Sequence, residues 1–250
     1  MAFYINNQNQ KIAYKYIKGK SPGIIFVHGL NSDMKGLKAL HIEKYAKKNN
    51  LAFLRFDCRG HGNSHGKFED FTLSDWKKDL LDLIDNITKG PQIIVGSSMG
   101  GWLMILAAKS RRKKICGLIG LAAAADFGNS LYSSLTKKSK KDLKIKGSTK
   151  HFWSYGSSYI LTKKFFLDAK KNNILNQSFQ FNKPLILIHG LKDEVVSSNV
   201  PKKIMNISTN KKAEIIFLKS SDHRLSSYYD LITITNAINK IRKLIKFKQS

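Results

Sequence analysis

A chain of 250 residues, 42% of them hydrophobic, is long enough for one domain with a large core. Its 44 Lys and Arg against 17 Asp and Glu leave a net charge of +27, a field that attracts polyanions or an anionic membrane surface. The cations are scattered, with short runs at 111–114, 137–141 and 211–212, and they do not group with aromatics on a nucleic-acid-binding motif, so no specific nucleic-acid partner is expected. A lysine-, asparagine- and isoleucine-rich chain of the kind an AT-rich genome encodes accounts for the same charge without a function. Two cysteines, Cys58 and Cys116, exclude a disulfide framework and suit a reducing compartment. The first twenty residues lack a continuous apolar core, and no apolar run approaches the span of a bilayer. The expectation is a soluble, cytoplasmic protein whose association with anionic surfaces is weak.

The first strand pattern covers 11–17 and follows a polar turn, which suits an antiparallel strand at a sheet edge. A second, at 23–28, is fully apolar and runs into His28-Gly29-Leu30-Asn31-Ser32. A His-Gly loop after an early strand is a usual source of one oxyanion-hole amide, here the N–H of Leu30. A helix pattern at 35–49 leads to a strand at 51–56 and then to the glycine-rich stretch Arg59-Gly60-His61-Gly62-Asn63-Ser64-His65-Gly66. The glycines make that stretch a loop. The H-x3-H spacing of His61 and His65 therefore does not put both rings on one helix face, and no metal site is expected.

After a helix pattern at 72–89 comes the most informative segment. The β-branched run Ile93-Ile94-Val95 reads as a buried strand, 102–108 reads as a helix, and Gly96-Ser97-Ser98-Met99-Gly100 stands between them. Gly-x-Ser-x-Gly in a strand–turn–helix context lifts a serine hydroxyl clear of the sheet edge. Side chains at Gly96 or Gly100 would clash across so tight a turn. Ser98 is the candidate nucleophile. Met99, opening the helix, supplies the second oxyanion amide at the positive end of the helix dipole.

A strand at 115–122 precedes Asp126, and then 127–181 breaks the alternation of strands and helices. So long a structureless loop is improbable. The expected organisation is a core of 1–126 and 182–250 with a helical lid at 127–181. The lid's aromatics, with Phe127, Phe152, Trp153 and Tyr159 as candidates, either roof an acyl-binding site or anchor the lid. The strand at 184–190 ends in His189-Gly190-Leu191-Lys192-Asp193-Glu194, and Asp193 falls just past the strand's carboxyl end. A helix at 200–207, a strand at 213–218 and Ser221-Asp222-His223-Arg224 follow. A closing helix near 227–247 lines Leu231, Ile234, Ile238, Ile241 and Ile245 along one face. Alternating helices and fully apolar strands argue an α/β fold with a mostly parallel sheet covered on both faces.

The chemistry follows the chain order Ser, acid, His, with Ser98, Asp193 and His223 as candidate triad. Asp126, Glu194 and Asp222 compete for the acid's place: Asp222 neighbours the base in an extended loop, where adjacent side chains point apart, and Glu194 lies one position further along. His28 is expected to shape the oxyanion loop, and His189 to be a hydrogen-bonded core residue. The function this supports is a serine hydrolase of carboxylic esters or thioesters that needs no cofactor and takes a small-molecule or acylated substrate. An acyltransferase using the same acyl-enzyme, or a basic binding protein on a hydrolase scaffold, are the alternatives.

Leu54-Arg55-Phe56-Asp57, Arg59-Gly60-His61-Gly62-Asn63-Ser64, Gly96-Ser97-Ser98-Met99-Gly100-Gly101-Trp102, His189-Gly190-Leu191-Lys192-Asp193 and Ser221-Asp222-His223-Arg224 together resemble the α/β-hydrolase superfamily. The segment around Ser98 with Leu103-Met104, the Gly120-Leu121-Ala122-Ala123-Ala124-Ala125-Asp126 strand end and Ser221-Asp222-His223-Arg224 resemble one branch in particular. That branch includes a mitochondrial S-depalmitoylase that also hydrolyses acyl glucuronides, together with bacterial relatives. The resemblance implies an α/β-hydrolase fold with Ser98, Asp193 and His223 as triad, and it is weakest across the lysine-rich lid.

Overall fold

The structure, a computed structural model, describes residues 1–152, 158–211 and 213–246. Its framework is a sheet of eight strands: β1 (Ala2–Ile5), β2 (Lys11–Ile17), β3 (Lys20–Val27), β4 (Leu51–Phe56), β5 (Gln92–Ser97), β6 (Ile115–Leu121) and two more beyond an insertion. In the insertion lie β7 (Ser148–Phe152) and β8 (Ser158–Thr162), and the main sheet resumes with β9 (Leu185–Gly190) and β10 (Glu214–Leu218). The spatial order is β1-β2-β4-β3-β5-β6-β9-β10. From β4 to β10 every neighbouring pair is parallel. β2 pairs antiparallel with β4, and β1 pairs antiparallel with β2.

The strand at 11–17 is therefore antiparallel, as its pattern suggests, but it is not the edge. β1 covers it, a four-residue strand too short to carry a periodic signal. Along β3 and β5 alternate side chains enter opposite layers: Ile25, Val27 and Ile94 face one core, and Ile24, Phe26, Ile93 and Val95 the other. That two-sided burial makes these strands continuously apolar. The helices α1 (Leu37–Lys48) and α8 (Tyr228–Lys246) cover one face. Ile234, Ile238 and Ile241 of α8 are fully buried there, on the stripe read from the sequence. The opposite face carries α2 (Leu73–Asn86), α3 (Met99–Ser110) and α7 (Asn199–Ile207).

Between β6 and β9 the chain forms α4 (Phe127–Ser134), α5 (Lys137–Ile145), the β7–β8 pair and α6 (Lys163–Lys171). The insertion is thus mixed, not wholly helical, because β7 and β8 pair antiparallel from Ser148↔Thr162 to Phe152↔Ser158. β8 does carry a period-two signal, with Tyr159 and Leu161 buried and Ile160 exposed, but five residues of it are outweighed by the polar β7 sequence that pairs with it. Asp126 anchors the insertion's return. Its two carboxylate oxygens accept the amides of Ile174 and Leu175 at 2.8 and 2.9 Å.

Candidate active site

Ser98 sits between β5 and α3 with φ +53° and ψ −118°, a backbone state that a residue with a Cβ reaches only under constraint. Three hydrogen bonds hold it. Its amide donates to the Leu121 carbonyl at 2.9 Å, and its own carbonyl accepts the Gly101 and Ala124 amides at 2.9 and 3.0 Å. The flanking glycines have distinct causes. A Cβ on Gly96 would lie 2.3 Å from the Gly100 oxygen, a clash across the turn, whereas one on Gly100 would lie 2.2 Å from the Val27 oxygen. The second glycine thus lets the start of α3 press against the end of β3.

His223, in the loop after β10, places Nε2 3.1 Å from the Ser98 hydroxyl and Nδ1 2.8 Å from a carboxylate oxygen of Asp193. A carboxylate only accepts, so Nδ1 carries the proton and Nε2 is left to accept from the serine. The Asp193 side chain is buried, and its other oxygen accepts the Val195 and Val196 amides at 2.9 and 2.8 Å. Burial works to raise this carboxyl, but the hydrogen bonds from His223 and the two amides outweigh it and hold the group below the usual carboxylate range. The loops carrying Asp193 and His223 are locked together: the Lys192 amide donates to the Ser221 carbonyl at 3.0 Å, and a Cβ on Gly190 would meet that same carbonyl oxygen at 2.2 Å.

Of the four acids that compete in the sequence, the fold brings Asp193 to His223. Asp222 turns onto its own backbone, accepting the Arg224 amide at 2.9 Å, and Asp126 is committed to Ile174 and Leu175. Glu194 lines the neighbouring cavity. His189 is fully buried; its Nε2 donates to the Val196 carbonyl at 2.9 Å, and burial lowers its pKa, so it is a neutral support for the acid's loop.

Met99 follows Ser98 directly, and Leu30 lines the same cavity as Ser98. Met99 opens α3, so its amide is among the four that a helix start leaves without an intrahelical acceptor. The loop carrying Leu30 lies against the nucleophile: a Cβ on Gly29 would be 3.1 Å from that of Ser98. His28 braces the loop by donating from Nδ1 to the Gly29 carbonyl at 2.7 Å and accepting the Cys58 amide on Nε2 at 3.0 Å. Burial lowers its pKa. His61 packs on His28 with ring centroids 5.0 Å apart and on Trp76 at 5.2 Å, and burial, with His28 beside it, pushes its pKa down to about 3. Both rings are neutral parts of the wall behind the oxyanion loop.

Sequence reasoning missed the contribution of Asp57. One of its oxygens accepts the Met34 amide at 2.7 Å and the other the Asn63 amide at 2.9 Å, which ties the end of β4 to the loops on either side. Arg59, buried beside it, forms an ion pair with Asp79 at 2.6 Å. The signal was the density of the Arg55-to-Ser64 motif, read there only as a family mark.

A cavity of about 790 Å³ opens above Ser98 and His223, lined by Leu30, Phe127, Leu131, Phe152, Val195 and others. On its wall Lys38 donates from Nζ to the Arg224 carbonyl, just past the base, and its pKa falls to about 8 chiefly through burial. Two lid candidates, Phe127 and Phe152, line the cavity. Tyr159 does not: it is buried against Phe68 and His151, with ring centroids 4.9 and 5.5 Å away, because its side of β8 faces the core domain. Trp153 lies outside the described residues. Among the described residues no helix is long and apolar enough to cross a membrane, and no group of three or more His, Cys, Asp or Glu could hold a metal ion.

A parallel sheet whose fifth strand delivers a strained serine to a helix start, with a histidine and a buried acid arriving from the last two strands, defines an α/β-hydrolase fold enzyme of the serine-hydrolase class, acting on ester or thioester bonds. Residues 20–155 match the hydrolase family model described as serine aminopeptidase, S33, and the chain belongs to that α/β-hydrolase family. Human palmitoyl-protein thioesterase ABHD10, mitochondrial, is 39% identical over 244 residues, covering 94% of this chain and 78% of that protein. The mouse protein of the same name is 34% identical over 255 residues, covering 98% and 84%. Among solved structures, alpha/beta hydrolase domain-containing protein 10 from mouse superposes with a TM-score of 0.89 at 35% identity, covering 97% of this chain and 98% of that one. Est1E from Butyrivibrio proteoclasticus, with ferulic acid bound, superposes with a TM-score of 0.81 over 96% and 97% of the two chains; at 24% identity it speaks for the fold alone. The expectation of a cytoplasmic location is overturned by such relatives, because curated proteins that match this chain along nearly its whole length are mitochondrial.

Proposed function

We propose that the chain hydrolyses fatty-acyl thioesters and esters through an acyl-enzyme on Ser98, with His223 as general base and acid, Asp193 as its orienting carboxylate, and the Leu30 and Met99 amides as oxyanion hole. The observation that carries this reading is the unbroken relay Ser98–His223–Asp193, at 3.1 and 2.8 Å, opening into the 790 Å³ cavity. That volume lies within the roughly 300–1,000 Å³ of small-molecule sites. The apolar wall of Phe127, Leu131, Phe152 and Val195 suits an acyl chain. The thioester preference draws on the name of the mitochondrial relatives, palmitoyl-protein thioesterase. In this reading the core is 1–126 with 182–250, and 127–181 is the lid that roofs the acyl site.

In the first half-reaction His223 Nε2 takes the Ser98 proton as Oγ bonds to the acyl carbonyl carbon, and the carbonyl electrons move to oxygen, where the two amides receive them. Collapse breaks the bond to the thiolate or alkoxide, which leaves with the proton from Nε2. Water then repeats the sequence on the acyl-serine, and the acid departs as Ser98 regains its proton. Asp193 holds the imidazole in the Nδ1–H form and stabilises its transient positive charge. The test is hydrolysis of a chain-length series of p-nitrophenyl esters and acyl thioesters by wild type and Ser98→Ala. Serine-dependent turnover peaking at a long acyl chain supports the reading. Equal turnover by both proteins, or none by the wild type on any member, rejects it.

A further inference from the structure

On the far side of α4 from the active-site cavity lies a second cleft of about 790 Å³ between α4, α5 and α6. The two faces of α4 divide the work. Phe127, Ser130, Leu131 and Ser134 line the cavity above Ser98, and Gly128, Asn129, Tyr132 and Ser133 line the second cleft. The cleft walls carry Lys140, Lys141, Lys144, Lys163 and Lys170, and among the described residues no acidic one lines it. From 127 to 181 the chain holds 11 lysines and two acids, a net +9. The two acids have other principal partners: Asp142 pairs with Lys146 at 2.9 Å, and Asp168 is turned to the core, accepting the Ser74 amide and hydroxyl at 2.8 and 2.7 Å.

The insertion also exposes large apolar side chains. Tyr132 and Leu167 at the cleft are 45% and 54% exposed, Ile145 at the end of α5 is 68% exposed, and Phe152 at the rim of the active-site cavity is 71% exposed. Lysines interleaved with exposed aromatic and aliphatic groups are the physical signature of a surface that lies in a lipid interface, its charges on headgroup phosphates and its apolar tips below them.

We propose that the insertion docks on an anionic phospholipid bilayer, with headgroup phosphates seated in the α4–α5–α6 cleft. The docking rests on the cleft and its lysines, and not on the reading of the active-site cavity as the acyl site.

The test is sedimentation with vesicles of phosphatidylcholine alone and of equal parts phosphatidylcholine and phosphatidylglycerol, at low and physiological salt. Wild type is compared with the cleft triple variant Lys144→Gln/Lys163→Gln/Lys170→Gln and with Lys44→Gln/Lys48→Gln/Lys113→Gln, which removes the same charge from exposed positions of the core. All six lysines are exposed, so both variants should fold and keep wild-type hydrolysis of p-nitrophenyl acetate. Expected is binding of the wild type to the anionic vesicles alone. The cleft variant should bind them roughly 100-fold more weakly, at about fivefold per lysine, and the core variant within about twofold of wild type. The paired variant Tyr132→Ser/Leu167→Ser should also weaken binding, at unchanged charge. Equal weakening in both lysine variants would mean that net charge alone acts. That result would overturn the proposal, as would vesicle binding unchanged in the cleft variant, or a wild type that binds inorganic polyphosphate but neither vesicle. Each of these readouts is independent of whether Ser98 is the nucleophile.

Discussion

Gly29 and Ser98 pack so closely that a Cβ on Gly29 would lie 3.1 Å from the Ser98 Cβ and 3.4 Å from the Ser97 carbonyl oxygen. The loop carrying Gly29 therefore rests on Ser98, and a methyl group added at Gly29 would press the two apart by a few tenths of an ångström. Gly29→Ala is expected to lower kcat by about tenfold with little change in thermal midpoint, since small misplacements at a reacting centre are costly in rate. Parallel kinetics on a soluble ester and thermal melts check this. An unchanged kcat would mean that the loop absorbs the methyl group elsewhere.

The strained backbone of Ser98 separates activity from stability. Ser98→Ala should lose at least about 10⁴-fold in turnover while keeping the strain, whereas Ser98→Gly should be as inactive but more stable than the alanine variant by about 1 kcal/mol. Urea unfolding of the two variants measures the difference directly. Equal stabilities would show that φ +53° costs nothing in this turn.

Four acids stand near the site in sequence, and their contacts predict four different variants. Asp193→Asn should drop kcat by about 10⁴-fold, because an amide cannot hold His223 in the required tautomer. Asp222→Asn and Glu194→Gln should stay within about threefold of wild type, since neither side chain is bonded to His223. Asp126→Asn should retain activity yet cost about 1 kcal/mol in stability through weakened bonds to the Ile174 and Leu175 amides. Loss of activity in Asp222→Asn with survival in Asp193→Asn would reverse the assignment.

Glu43 links stability to pH. Burial opposes its charge, but hydrogen bonds from Lys15, Lys47 and Arg55 hold its pKa down to about 2, below the 4.5 of a free glutamate. A depressed carboxylate contributes stability that is present above the unfolded pKa and is lost as pH falls from about 4.5 toward about 2. Glu43→Gln should therefore unfold more easily than wild type near neutral pH, by on the order of 2 kcal/mol after solvent screening at the lysines, and the gap should narrow at pH near 3. Denaturant midpoints of both proteins at the two pH values provide the check; a constant gap would mean that packing, and not charge, makes the difference.

Much of this molecule is local information. Fully apolar runs such as Ile93-Ile94-Val95 can be satisfied only by burial on both faces, so they announce a covered parallel sheet, and the stripe Ile234, Ile238, Ile241 announces a helix lying on it. Gly96 and Gly100 mark the turn because no side chain fits there, and the order Ser98, Asp193, His223 follows from strand ends that share one edge. The weak elements were illegible for the converse reason: β1 is four residues long, and β7 gains its strand from pairing with β8, not from its own residues.

Decisions between chemically equal candidates belonged to the tertiary structure. Asp126, Asp193, Glu194 and Asp222 carry the same functional group, and only the crossing of the loops after β9 and β10 brings one of them within 2.8 Å of His223. The neutrality of His28 and His61 likewise comes from burial, with the two rings packed together although 33 positions separate them in the chain. Residue type and spacing determined what chemistry the chain carries, since those depend on covalent structure and local backbone limits. Which atoms meet, and on which face the lysines of the insertion gather, depended on long-range packing that no stretch of sequence contains.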